Sequence, residues 1–182
     1  MKKAIGLLEY RSVTRGMVCA DTVVKSAGVE LLQAATVCPG KFLVLIAGDV
    51  GSVQSAIESG TVIGEDVLID QFILANVHDA VFPALNATSN VDPEGALGII
   101  ETFTAAAAVV AADLAAKTAQ VELIEIRLAR GLGGKSFVTF NGDVGSVTVA
   151  VEAVTKALAE EGTLVDQAVI PNPHRELWQQ LV

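Results

Sequence analysis

The string Gly48-Asp49-Val50-Gly51-Ser52-Val53 returns unchanged as Gly142-Asp143-Val144-Gly145-Ser146-Val147, 94 residues further on. A hexapeptide repeated without a change does not come from composition alone, and its surroundings repeat with it. Upstream, Ala4-Ile5-Gly6-Leu7-Leu8-Glu9 answers to Ala96-Leu97-Gly98-Ile99-Ile100-Glu101, and Asp21 and Lys25 answer to Asp113 and Lys117, all at an interval of 92. Downstream, Ile69-Asp70-Gln71 and Asn76-x-His78 answer to Val165-Asp166-Gln167 and Asn172-x-His174 at an interval of 96. The drift places two small insertions in the second copy, one just before its repeated turn and one before its last strand. Two copies are too few for a solenoid, so the chain is two related domains. The polar, turn-rich stretch from Ala87 to Glu94 separates them and sets the domains at 1–91 and 92–182.

Within the first copy, Ala4 to Glu9 has the length and apolar content of a short buried strand. Val13 to Ala27 follows with helical spacing, carrying Met17, Ala20, Val24 and Ala27 on one stripe. Two strand-like runs then flank Cys38-Pro39-Gly40, where Pro39 fixes φ and Gly40 accepts a positive one; the chain is expected to reverse there and expose Cys38 at a hairpin tip. Asp49 suits the N-cap of a second helix that buries Val50, Val53 and Ile57 and has Gly60 near its end. Val67 to Leu74 reads as a fourth strand, and Asp79 is placed to cap a short helix holding Val81, Phe82 and Leu85. The second copy repeats the order with an Ala-rich first helix, a Leu132-Gly133-Gly134 turn and Trp178 in the place of Phe82. Strand, helix, strand, strand, helix, strand, helix predicts α+β domains, each a mainly antiparallel sheet backed by helices.

Composition narrows the function classes. Domains of about ninety residues bury limited cores and often lean on partners, so oligomerisation is expected. Mean hydropathy is high, +0.54, but the longest candidate membrane run, Ala105 to Ala112, ends at Asp113 and is too short to span a bilayer. Met1-Lys2-Lys3 leads directly into a strand-like run without a signal-peptide core, which fits a cytoplasmic protein. A net charge of −9 lacks the basic footprint of a nucleic-acid binder.

Gly131-Leu132-Gly133-Gly134-Lys135-Ser136 invites comparison with a phosphate loop, yet position 129 is Ala where the motif needs Gly. The run that follows, Phe137-Val138-Thr139-Phe140, reads as strand where the motif needs helix. Cys19, Cys38, His78 and His174 have no zinc-type spacing, and the histidines occupy equivalent places in the two copies. Cys19 falls inside the first helix and reads as a small buried hydrophobe. Cys38 has no histidine on a flanking element to serve as its base.

The strand Ala4-x-Gly6-x-x-Glu9, the run from Ala20-Asp21 through Lys25 to Leu31, Pro39-Gly40-Lys41, Gly48-Asp49-Val50 and the Asn-x-His ends resemble the bacterial microcompartment shell proteins. The match is to the tandem class of that family, in which two such domains are fused, and it runs through both halves. The resemblance implies an α+β fold of two tandem, ferredoxin-like-derived shell domains and a non-enzymatic homotrimer that acts as a pseudo-hexamer. It implies a central pore lined by Val37, Cys38, Pro39 and Gly40 of one turn and Leu132, Gly133 and Gly134 of the other. Lys25 and Lys117 match the edge lysines of the family, with Asn172 and His174 at the same assembly edge. The arginine that many members carry there is missing from both copies: its place falls at Val77 and Pro173 if Asn-x-His is aligned, or at Asn76 and Asn172 in the preferred alignment, which keeps both prolines of Pro171-Asn172-Pro173-His174.

The turn Cys38-Pro39-Gly40-Lys41-Phe42 resembles that of iron–sulfur shell proteins from propanediol-utilising compartments. That likeness implies one [4Fe-4S] cluster per trimer, bound by Cys38 of each chain, for electron transport across the shell or for cluster delivery. It also implies other shell proteins as partners, a redox partner among the encapsulated enzymes, and residence in a microcompartment shell in the cytoplasm. Two alternatives stay open at the level of sequence: a metabolite pore without a cluster, and a trimeric α+β enzyme or small-ligand regulatory protein.

Overall fold

The computed structural model describes residues 4–92 and 94–181. Met1-Lys2-Lys3, read above as the lead into the first strand, and Pro93, in the stretch between the copies, lie outside the described residues, as does Val182. The elements are β1 (Ala4–Tyr10), α1 (Val13–Ser26), β2 (Glu30–Val37), β3 (Lys41–Gly48), α2 (Val50–Ile63), β4 (Leu68–Ala75) and α3 (Val81–Leu85). They are followed by β5 (Ala96–Thr102), α4 (Ala105–Thr118), β6 (Glu122–Arg127), β7 (Ser136–Gly142), α5 (Val144–Glu161), β8 (Leu164–Ile170) and α6 (Arg175–Leu181). The order expected from the repeat is the order found.

Each copy forms one antiparallel four-stranded sheet, ordered β2-β3-β1-β4 in the first and β6-β7-β5-β8 in the second. The duplication extends to irregularities: register shifts fall at Leu31/Gln33 and at Leu123/Glu125, and again at Glu9/Tyr10 and Glu101/Thr102. The repeated hexapeptide opens α2 and α5. Asp49 and Asp143 accept the N–H of Ser52 and Ser146, each at 3.0 Å, which satisfies one of the otherwise orphaned donors of a helix start.

In the first copy α1 and α2 lie on one face of the sheet, where Leu8, Tyr10, Phe42, Val44 and Ile46 meet Cys19, Val23, Val53, Ala56 and Ile57. The buried stripe of α1 is Gly16, Cys19, Ala20 and Val23. Of the stripe expected from hydropathy, only Ala20 is buried; Met17 is 55% and Val24 36% exposed. The helix is rotated because Gly16 lets it close on Phe42: a Cβ at Gly16 would stand 2.6 Å from the Cβ of Phe42. Val50, expected to be buried, is likewise exposed, since the inward face of α2 runs through Val53, Ala56, Ile57 and Gly60. Asp79 does not cap α3. The N–H of Ala80 instead donates to Nδ1 of His78 at 3.3 Å, and the N–H of Glu176 does the same to His174 in the second copy.

The chain packs as two compact units, Met1–Val77 and His78–Val182. The sequence repeat divides it at 91/92 instead, so α3 carries first-copy sequence yet lies in the second unit, where it packs on β6 and α4.

Candidate functional site

The β2–β3 hairpin closes through Cys38, Pro39 and Gly40, with Val37 paired to Lys41 at its base. The Cys38–Pro39 peptide is cis and Gly40 has φ 75°, a left-handed conformation that favours glycine. Pro39 and Gly40 are exposed, Cys38 is half-buried and Val37 is buried beneath them. At the root of the hairpin, the Lys41 ammonium lies 2.6 Å from Oε2 of Glu9, whose side chain is only 7% exposed. The tip that presents Cys38 therefore stands on a buried charge pair.

The two thiols occupy opposite environments. Cys19 is fully buried against Tyr10, and burial pushes its pKa up, with the Tyr10 hydrogen bond opposing the shift in part. It is the inert core residue expected. Cys38 is the thiol open to solvent. Among the described residues no three His, Cys, Asp or Glu side chains of one chain converge as a metal site.

The equivalent hairpin of the second unit has a longer connection, residues 128–135. Gly131, Gly133 and Gly134 all have positive φ, as does Ala129, which is buried. Leu132 and Gly134 are half-buried and Gly133 is exposed at its tip. The hydroxyl of Ser136 accepts the N–H of Ala129 at 3.1 Å, and Lys135 pairs with Glu101. Ser136 opens strand β7, and neither it nor Lys135 is presented as a phosphate ligand would be. Lys135–Glu101 reproduces Lys41–Glu9, and both partners recur in the sequence, at intervals of 94 and 92.

The expected edge residues are distributed as follows. Lys25 is 73% exposed and bonds Asp21 at 2.7 Å; Lys117 is 40% exposed and bonds Asp113 at the same distance. Asp113 is almost buried, because its other oxygen accepts the backbone N–H of His78 at 2.8 Å. Asn172 and His174 are exposed on either side of a buried Pro173. The role of Asp113 was not legible: an Asp four residues before a Lys on a helix looks like a surface pair.

Two antiparallel α+β units, each presenting a hairpin tip and a lysine-bearing first helix, define a tandem shell protein, and the comparisons agree. The BMC domain model matches residues 4–77 and again 96–173, so the chain belongs to the bacterial microcompartment shell proteins. It is a structural shell component of these bacterial compartments, as its relatives are. The bacterial microcompartment shell protein PduT of Citrobacter freundii is 44% identical over 182 residues, covering 100% of this chain and 99% of that protein. The carboxysome assembly protein CcmO of Synechococcus elongatus is 30% identical, covering 98% of this chain and 68% of that protein. A crystal structure of a microcompartment protein from Desulfitobacterium hafniense superposes with a TM-score of 0.95 at 50% identity, covering 98% of this chain and 99% of that one. No helix among the described residues is long and apolar enough to cross a membrane.

Proposed function

We propose that three copies of this chain form a ring of six shell domains around a pore, and that Cys38 of each copy binds one [4Fe-4S] cluster there. The observation that carries this reading is the contrast between the chain's two thiols: Cys19 is sealed in the core, while Cys38 stands at the tip of a hairpin braced by Glu9–Lys41. One accessible thiol cannot hold a cluster that is commonly bound by four cysteines. Three copies supply three thiolates and leave one iron to a non-protein ligand. The second turn, Leu132-Gly133-Gly134, brings no competing thiol.

When bound, the cluster supplies one-electron transfer. The protein residues hold the thiol at the tip, keep Lys41 paired away from it, and keep the other thiol out of reach. The physiological role we assign is electron transport across the shell or delivery of the cluster, with a redox partner among the encapsulated enzymes and neighbouring shell proteins as assembly partners.

Iron and acid-labile sulfide assays after anaerobic reconstitution test this, with Cys38→Ser prepared beside the parent. The parent should bind four irons and four sulfides per three chains, on the order expected for one such cluster, and the variant should bind none. A parent without stoichiometric iron favours a plain metabolite pore.

A further inference from the structure

The second unit contains a docking event whose counterpart is open elsewhere in the same chain. His78 and the helix α3 end the first sequence copy, and they seat on the second unit: the His78 N–H donates to Asp113 at 2.8 Å, and Val81 and Ala84 of α3 are fully buried. The surface that receives them is also covered, with Leu123, Ile124 and Ile126 of β6 each 6% exposed or less.

The repeat supplies equivalents for both partners. At the interval of 92, the receiving surface corresponds to Asp21 on α1 and to Leu31, Leu32 and Ala34 on β2. At the interval of 96, the docked segment corresponds to His174, Leu177 and Trp178. The counterparts Asp21, Leu31 and Ala34 are exposed in the first unit, and Leu32 is half-buried. Asp21 is 63% exposed and, among the described residues, receives no backbone N–H; Leu31 is 41% exposed. One face of the tail is also unsatisfied: the His174 N–H meets no acceptor among the described residues, and Leu177, in the place of fully buried Val81, is 39% exposed, while Trp178 on the other face is buried with Leu97 and Ile124 of its own unit.

We infer that the His174–Leu181 segment of one copy docks on α1 and β2 of a second copy, with Asp21 accepting the His174 N–H and Leu177 packing on β2. Each chain then offers one tail and one receiver, a head-to-tail interface that is satisfied throughout only when the chain of copies closes. Asp21 becomes a carboxylate bonded on one oxygen by the neighbour's backbone and on the other by its own Lys25, as Asp113 is by His78 and Lys117. This inference rests on the ring reading above and adds to it the residues that close the ring.

The test uses Asp21→Cys with His174→Cys in a Cys38→Ser background, oxidised in solution. A backbone-to-carboxylate hydrogen bond brings the two Cα atoms within reach of a disulfide. Denaturing gels under non-reducing conditions should show covalent dimers and closed trimers, absent from either single cysteine variant. A native mass of three chains without these cross-links overturns the docking and leaves the ring; failure to form a trimer by the uncross-linked Cys38→Ser protein overturns both. Independently, Asp21→Ala should raise the concentration at which the trimer dissociates by about tenfold or more, the scale of a lost charge-assisted hydrogen bond. Asp21→Asn, which keeps an acceptor oxygen, should recover most of it. Equal effects of the two substitutions, or none, contradict the assigned bond.

Discussion

Lys41 and Glu9 lie diagonally across the β1–β3 pairing with their charged atoms 2.6 Å apart, and the Glu9 carboxylate is nearly out of solvent. The pair ties the root of the Cys38 hairpin to the central strand of its sheet. Lys41→Met leaves that carboxylate buried and unpaired and should cost about 2–3 kcal/mol. Lys135→Met at the equivalent pair should cost about 1 kcal/mol or less, since Glu101 is 32% and Lys135 44% exposed. Denaturant titration of the two variants side by side checks the ranking, and equal losses would contradict it.

Thiol reactivity should divide one to one. Iodoacetamide added to the cluster-free native protein is expected to modify Cys38 and spare Cys19, whose thiol is fully buried and held protonated by burial. Peptide mapping reads the site, and in denaturant both residues should react. Label on Cys19 in the native protein would show that its core opens.

Gly16→Ala should destabilise the first unit by roughly 1–3 kcal/mol, because the new methyl would collide with Phe42. Gly51→Ala makes the same chemical change on α2, where the nearest atom stands at 3.5 Å, and should be neutral or stabilising by up to about 1 kcal/mol. Thermal midpoints of the two variants should therefore move in opposite directions or differ clearly in size.

The duplicated helix caps make stability depend on acid. Hydrogen bonds from the Ser52 and Ser146 hydroxyls, then from their backbone N–H groups, hold the Asp49 and Asp143 carboxylates below their usual value near 3.8. A carboxylate whose pKa is depressed by folding stabilises the fold above its unfolded pKa, and that stability is lost as pH falls through the native value. Asp49→Asn with Asp143→Asn keeps an acceptor but no charge. Its unfolding free energy should fall less steeply than the parent's below about pH 4, the usual carboxylate range, and parallel curves would contradict the assignment.

Lys25 and Lys117 are proposed to act at the rim between rings. Replacing both by Ala should leave the trimer intact, because neither the His78–Asp113 bond within the chain nor the inferred His174–Asp21 bond between chains uses a lysine, while two-dimensional sheets seen by electron microscopy should become sparse or disordered. Unchanged sheets would remove the lysines from that role. Exposed ion pairs are individually weak, so the effect depends on an interface repeated across a lattice.

Much of this molecule was legible because its signals are local. The caps at Asp49 and Asp143, the reversal at Pro39-Gly40 and the order of elements each depend on a few adjacent residues, and the duplication let one copy check the other. What escaped depends on distant partners. Met17 and Val24 outrank Gly16 on any hydropathy scale, yet Gly16 is the residue that lets α1 approach Phe42. The destination of α3 is equally non-local: its sequence belongs to the first copy, and only the fold reveals that its receiver is Asp113 and β6. The Cys38 tip was readable as a turn with a thiol, whereas the burial that removes Cys19 from competition required the packed core.

The central claim is tested most directly by native mass spectrometry of the anaerobically reconstituted protein. The account predicts a species of three chains carrying one [4Fe-4S] cluster, and a Cys38→Ser species of three chains carrying none. A cluster bound to a single chain, or a trimer that keeps its cluster after Cys38→Ser, would contradict it.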